Sequence, residues 1–118
     1  MKILNVEIDF DFLDADDIEK FENEAKRVVK ECENNEIKTL TYAEQIRKEC
    51  EIIDNFFNNV FGEGTSEKLF KGKANLMEHI NAFQDIVNEK IRKQEEMNST
   101  LKRYLPNREQ RRNNKGRR

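Results

Sequence analysis

Residues Asp14 to Glu33 read DADDIEKFENEAKRVVKECE, and this stretch decides the fold class. Ile18, Phe21, Ala25, Val28, Val29 and Cys32 recur at three- and four-residue spacing, which gathers them into a sector of about 100° on a helical wheel. Asp14 or Asp16 caps the segment, because a carboxylate there accepts free backbone N–H groups of the first turn. Asp16 and Asp17 also suit the positive end of the helix dipole. Asn34-Asn35 ends the run. The stretch is an amphipathic helix with one face for a core.

Upstream, Leu4, Val6, Ile8, Phe10 and Phe12 alternate with Asn5, Glu7, Asp9 and Asp11. Period-two alternation predicts a strand with one buried face. Two readings stay open: one continuous strand over residues 4–12, or a hairpin bent near Asn5 that pairs Lys2–Leu4 with Glu7–Phe10. The hairpin is preferred, since a lone open edge invites aggregation, although Leu4-Asn5 stands where Asn-Gly is usual. Ile37–Tyr42 is the only other β-like stretch.

Downstream, Thr41-Tyr42-Ala43-Glu44 reads as a capping box that opens a second helix. Ala43, Ile46, Cys50, Ile53, Phe57, Val60 and Phe61 form its core stripe, and Gly62 stands where a left-handed residue ends a helix. Ile52 and Phe56 sit about 130° and 90° off that stripe. Either a second packed helix or a partner protein covers them, and they are taken as candidate partner-binding residues. A turn, Gly62–Ser66, leads into one helical turn at Glu67–Phe70. Asn75 with Glu78 then predicts another capping box, and Leu76, Ile80, Phe83, Val87 and Ile91 line a long last helix. Beyond Ile91 the stripe weakens, with Gln94 and Asn98 at core-side positions and only Met97 and Leu101 apolar. That half should extend past the body or await a partner, which makes Met97 and Leu101 further candidates. Tyr104-Leu105-Pro106 stops the helix.

The expected architecture is therefore mainly α: a small single-domain helical bundle over residues 1–105, with a short N-terminal β-hairpin or strand and a long C-terminal helix. Residues 106–118 form a separate basic tail. They carry six basic side chains against one acid, so this tail holds +5 and the rest of the chain −7, for a net charge of −2. The tail after Pro106 has no apolar residue and is expected to be disordered alone. Its Arg108, Arg111 and Arg112 are candidate contacts for an acidic protein partner. Nucleic acid is disfavoured as that partner, because the tail offers no aromatic platform for bases and the body is acidic. Oligomers of modest size would form mainly through helices.

Composition excludes much else. With 118 residues, 39% of them charged, there is room for one thin core. Zero Trp and 8 Phe leave phenylalanine to supply the large apolar volume. No run of 18 apolar residues offers a membrane span, and the start turns acidic before a signal-peptide core could form, so a cytoplasmic location is expected. Cys32 and Cys50 lie on helix stripes without a CxxC pair, so they are expected to be buried free thiols. The aspartates from Asp9 to Asp17 fail the calcium-loop pattern, which needs Gly at its sixth position and Glu at its twelfth. Gly62-Glu63-Gly64-Thr65-Ser66 lacks the lysine of a phosphate loop. His79 is the lone histidine, so no two-His metal site or His relay fits within one chain. It should sit at the edge of its helix's apolar stripe, partly buried and hydrogen-bonded. No catalytic residue, cofactor or metal is expected.

Three stretches carry a family resemblance: Phe10-Asp11-Phe12-Leu13-Asp14-Ala15-Asp16, Phe61-Gly62-Glu63-Gly64-Thr65-Ser66-Glu67-Lys68-Leu69-Phe70-Lys71-Gly72, and Pro106-Asn107-Arg108-Glu109-Gln110-Arg111-Arg112. Over essentially its full length the chain resembles a family of short proteins from phages and prophages of Gram-positive bacteria. In size, helical content and basic ending, these are similar to the tail assembly chaperones of long-tailed phages. The resemblance implies a non-catalytic role: coating the tape measure protein, keeping its helical surface soluble and guiding tail-tube subunits onto it. A small nucleic-acid-binding or host-interaction protein acting through the basic arm is the alternative.

Overall fold

In the computed structural model, which describes residues 1–105, two short strands precede four α-helices. The strands are β1 (Lys2–Ile3) and β2 (Val6–Glu7); the helices are α1 (Ala15–Cys32), α2 (Tyr42–Phe61), α3 (Thr65–Phe70) and α4 (Leu76–Tyr104). The fold is mainly α, with an N-terminal hairpin and a long C-terminal helix. The basic tail, with its expected disorder and its Arg108, Arg111 and Arg112, lies outside the described residues.

The hairpin forms, and it is tighter than the alternation implied. Ile3 pairs with Val6 and Lys2 with Glu7, antiparallel. Leu4 and Asn5 make the whole turn, at φ 48° and 66°. Both are left-handed, as a two-residue turn of right-twisted strands requires. A continuous strand over residues 4–12 is therefore ruled out. Ile8 closes the hairpin by donating its N–H to Met1 O at 2.8 Å, and regular pairing ends there. The alternation still sorts the side chains: Ile8 is buried and Val6, Phe10 and Phe12 are half-buried, whereas Glu7, Asp9 and Asp11 face water. Ile3 takes the inward place expected of Leu4, which the turn swings outward.

Helix ends follow the polar residues that mark them. Asp14 caps α1 by accepting the N–H of Asp17 at 3.0 Å. The Ile37–Tyr42 stretch is not a strand. Asn34 caps a 3-10 turn, Asn35–Thr39, that tucks Ile37 into the core, and Tyr42 already belongs to α2. Thr41 and Glu44 form the full capping box. At the start of α4, Asn75 accepts the N–H of Glu78 at 3.0 Å, and among the described residues only this half of the expected box forms. Gly62 ends α2 at φ 113°, a conformation that side chains with a Cβ rarely adopt.

Helix α2 is the hub, packed by α1, α3, α4 and the 3-10 turn. Its sequence is apolar on two faces because it has two sets of neighbours. All eight phenylalanines join one network: Phe56 meets Phe21 of α1 at 5.5 Å and Phe83 of α4 at 5.0 Å, centroid to centroid. Phe10 meets Phe61 at 5.0 Å, and Phe57 meets Phe70 of α3 at 5.8 Å. Most of these pairs are edge-to-face, each worth about 0.5–1.5 kcal/mol beyond area burial.

Candidate functional site

Helix α4 is 29 residues long, about 43 Å at the standard rise. Its first half packs on α2; from Ile91 onward it mostly faces water. A row of surface pairs supports that second half. Arg92 bridges Glu89 and Glu96, Lys93 reaches Glu96, and Lys90 Nζ donates to Gln94 Oε1 at 3.2 Å. Such pairs at i,i+3 and i,i+4 add about 0.2–0.5 kcal/mol each to the helix. The guanidinium of Arg92 holds the Glu89 carboxyl below the usual carboxylate range.

Where α4 leaves the body it forms one wall of an open cleft of about 280 Å³. Lys90, Gln94, Met97 and Asn98 line this wall, and Phe12, Leu13, Ile18 and Glu22 line the other. The opposite wall is set by a local turn: Asp11 Oδ1 accepts the N–H of Leu13 at 2.9 Å, so Leu13 stands outward just before the Asp14 cap. Leu13 is 58% exposed. Residues seven apart on a helix differ by only about 20° in direction, so Leu101 follows Gln94, and Leu105 follows Asn98. Leu101 and Leu105 are exposed, as are Ile91 and Tyr104, and the charged Arg92, Glu96 and Arg103 occupy the far side. The outer half of α4 is thus amphipathic, with its apolar seam continuing the line of the cleft.

Sequence reasoning placed two partner residues wrongly. Ile52 and Phe56 are 3% and 0% exposed and cannot touch a partner in the folded chain. Their off-stripe angle reflects a second packed neighbour: Phe56 sits between Phe21 and Phe83. Met97 does line the cleft, half-buried, and Leu101 lies on the exposed seam beyond it. Leu13, Ile18 and Lys90 were missed. Polar Gln94 and Asn98 at core-side positions were the one legible sign that this face is not closed by the body.

A second polar feature lies at the other end of α4. His79 is wholly buried, beyond the partial burial its sequence position implied. It stacks on Phe70 with centroids 3.6 Å apart. Its Nδ1–H donates to Asn75 O at 2.7 Å, and Nε2 lies 2.9 Å from Asp54 Oδ1. Beside it, a pocket of about 120 Å³ is lined by Arg47, Cys50, Asp54 and Ser66, among others. Both imidazole nitrogens thus have hydrogen-bond partners within the fold. Burial pushes the Cys50 thiol up to about 11, with Asp54 and Glu49 adding to it, so no thiolate nucleophile is available near neutral pH. Cys50 is buried as expected, but Cys32 is only partly so; both are free thiols. Among the described residues, no group of three His, Cys, Asp or Glu side chains is placed to hold a metal ion, and no helix is long and apolar enough to cross a membrane.

A family of unknown function, DUF6673, matches residues 4–115. The chain belongs to this family. The match spans both walls of the cleft, the whole of α4 and most of the basic tail. No curated protein and no solved structure matches the chain.

Proposed function

We propose that the protein is a non-catalytic phage protein, a tail assembly chaperone that binds the tape measure and tail-tube proteins during virion assembly in the host cytoplasm. The observation that carries this reading is the apolar seam of outer α4, Met97–Leu101–Leu105, opening onto the cleft walled by Leu13 and Ile18. A seam at this spacing accepts the apolar face of another helix, the helix-in-groove mode of recognition. A tape measure protein of long helical segments presents such faces repeatedly. The resemblance to phage tail assembly chaperones supplies the identity of the client, and the committed state of His79 and Cys50 supports a role without catalysis.

Co-expression with the neighbouring tail genes tests the reading. The tape measure protein should be retained by the parent chain and lost with Leu101→Asp. Retention of nucleic acid instead, abolished by removing residues 106–118, would favour the alternative carried by Arg108, Arg111 and Arg112. The same truncation should only weaken client binding.

A further inference from the structure

The molecule carries both halves of one joint: a projecting amphipathic helix end, and the cleft at its base. We infer that the free protein is a two-fold dimer in which the outer α4 of each copy lies antiparallel in the cleft of the other. This inference stands independently of which client the protein serves.

Three observations select a second copy as the occupant. The first is shape. An antiparallel crossing near Asn98 sets Leu101 and Leu105 of one chain beside Gln94 and Ile91 of its partner. It also places the tip of each helix against Leu13 and Ile18, which are otherwise incompletely covered. The seam of each copy then covers the cleft wall of the other, the same patch on both sides of the axis, as in an isologous interface.

The second is charge. The wall carrying Leu13 and Ile18 is acidic: Glu22 lines the cleft, and Asp11, Asp14, Asp17 and Glu19 adjoin Leu13 and Ile18 in sequence. The tip that would enter beside it ends in Lys102 and Arg103. Opposite charges meet on both sides of the axis, whereas a parallel pairing would set basic tip against basic tip.

The third is the middle of the seam. Gln94 and Asn98 interrupt the apolar row there, and polar residues at such places fix register and orientation at a modest cost in stability. Asn98 of each chain meets its counterpart at the crossing, and Gln94 of each lies level with Lys102 of the other, which discourages slippage of the pair.

Symmetric cross-linking of the full chain tests this arrangement. Asn98→Cys places two thiols across the axis and should give a disulfide-linked dimer under mild oxidation. Ser99→Cys, one residue on and rotated by about 100°, should give no more than the parent chain, whose own Cys32 sets the background. By sedimentation, the parent should have twice the chain mass, and Leu101→Asp should fall to one chain mass with unchanged helical circular dichroism. A monomeric parent at about 100 µM, well above the affinities of typical stable interfaces, would overturn the inference. So would equal cross-linking at positions 98 and 99. If Leu101→Asp misfolds, the cysteine pair still decides.

Discussion

His79 Nε2 lies 2.9 Å from Asp54 Oδ1, joining α4 to α2 through one hydrogen bond between a buried ring and a partly exposed carboxyl. A single proton must occupy that gap, since the other ring nitrogen already donates to Asn75 O. Phe70 closes the remaining face of the ring. The pair therefore ties the first turn of α4 to α2, alongside the packing of Phe83 on Phe56.

Removing the acceptor should cost more than removing the pair. Asp54→Ala leaves the buried His79 nitrogen unpartnered and should destabilise the fold by about 1–3 kcal/mol. In a His79→Phe background, which keeps an aromatic ring against Phe70, the same change should cost clearly less. Urea unfolding of the four proteins measures the coupling. Equal costs in both backgrounds would show that the bond contributes nothing.

Phe56 and Leu101 should part company in a stability experiment. Phe56→Ala empties the centre of the aromatic network and should cost about 3–5 kcal/mol. Leu101→Ala, measured at high dilution, should stay within about 0.5 kcal/mol. Thermal unfolding of both variants checks the assignment of one residue to the core and the other to a surface.

The turn residue Leu4 is poorly matched to its backbone. At φ 48° it occupies the left-handed region, which asparagine tolerates better than leucine. Leu4→Asn should raise stability by about 0.5–1 kcal/mol, by relief of that strain. A loss of stability would mean that the half-exposed Leu4 side chain contributes more by packing than its backbone costs.

Alkaline pH should weaken the fold through Cys50. Burial raises its thiol from 9.0 to about 11, so the protonated form is favoured in the folded state. The contribution to stability is complete below pH 9.0 and is lost as pH rises towards 11. Cys50→Ala should remove this part of the pH dependence. At pH 8, a thiol reagent should leave Cys50 unmodified until denaturant is added, while the partly exposed Cys32 reacts first.

The helices were legible because each one is punctuated by residues with a single physical use. Asp14, Thr41 and Asn75 cap where the sequence places them, and Gly62 ends α2 at a positive φ. Long-range packing was less legible. Ile37 reads as part of a strand, yet no partner strand exists for it among the described residues, and Asn34 caps a 3-10 turn there instead. Ile52 and Phe56 read as a spare face because a wheel shows one helix and not its neighbours. The same blindness hid His79, whose burial depends on Phe70 from α3 and Asp54 from α2. In the candidate site, Met97 and Leu101 stood out as lone apolar residues on a polar half-helix. Leu13 did not, because only the Asp11 turn brings it to the opposite wall.

The central claim is that the outer half of α4 and the Leu13–Ile18 wall act together as one binding surface. Amide hydrogen exchange on the full chain, with and without the co-encoded tape measure protein, tests it most directly. At a dilution where the free chain is monomeric, residues 12–22 and 94–105 should be slowed together on binding, with the α2 core unchanged. Protection confined to other parts of the chain, such as the 3-10 turn and the start of α2, or none at all, would contradict the account.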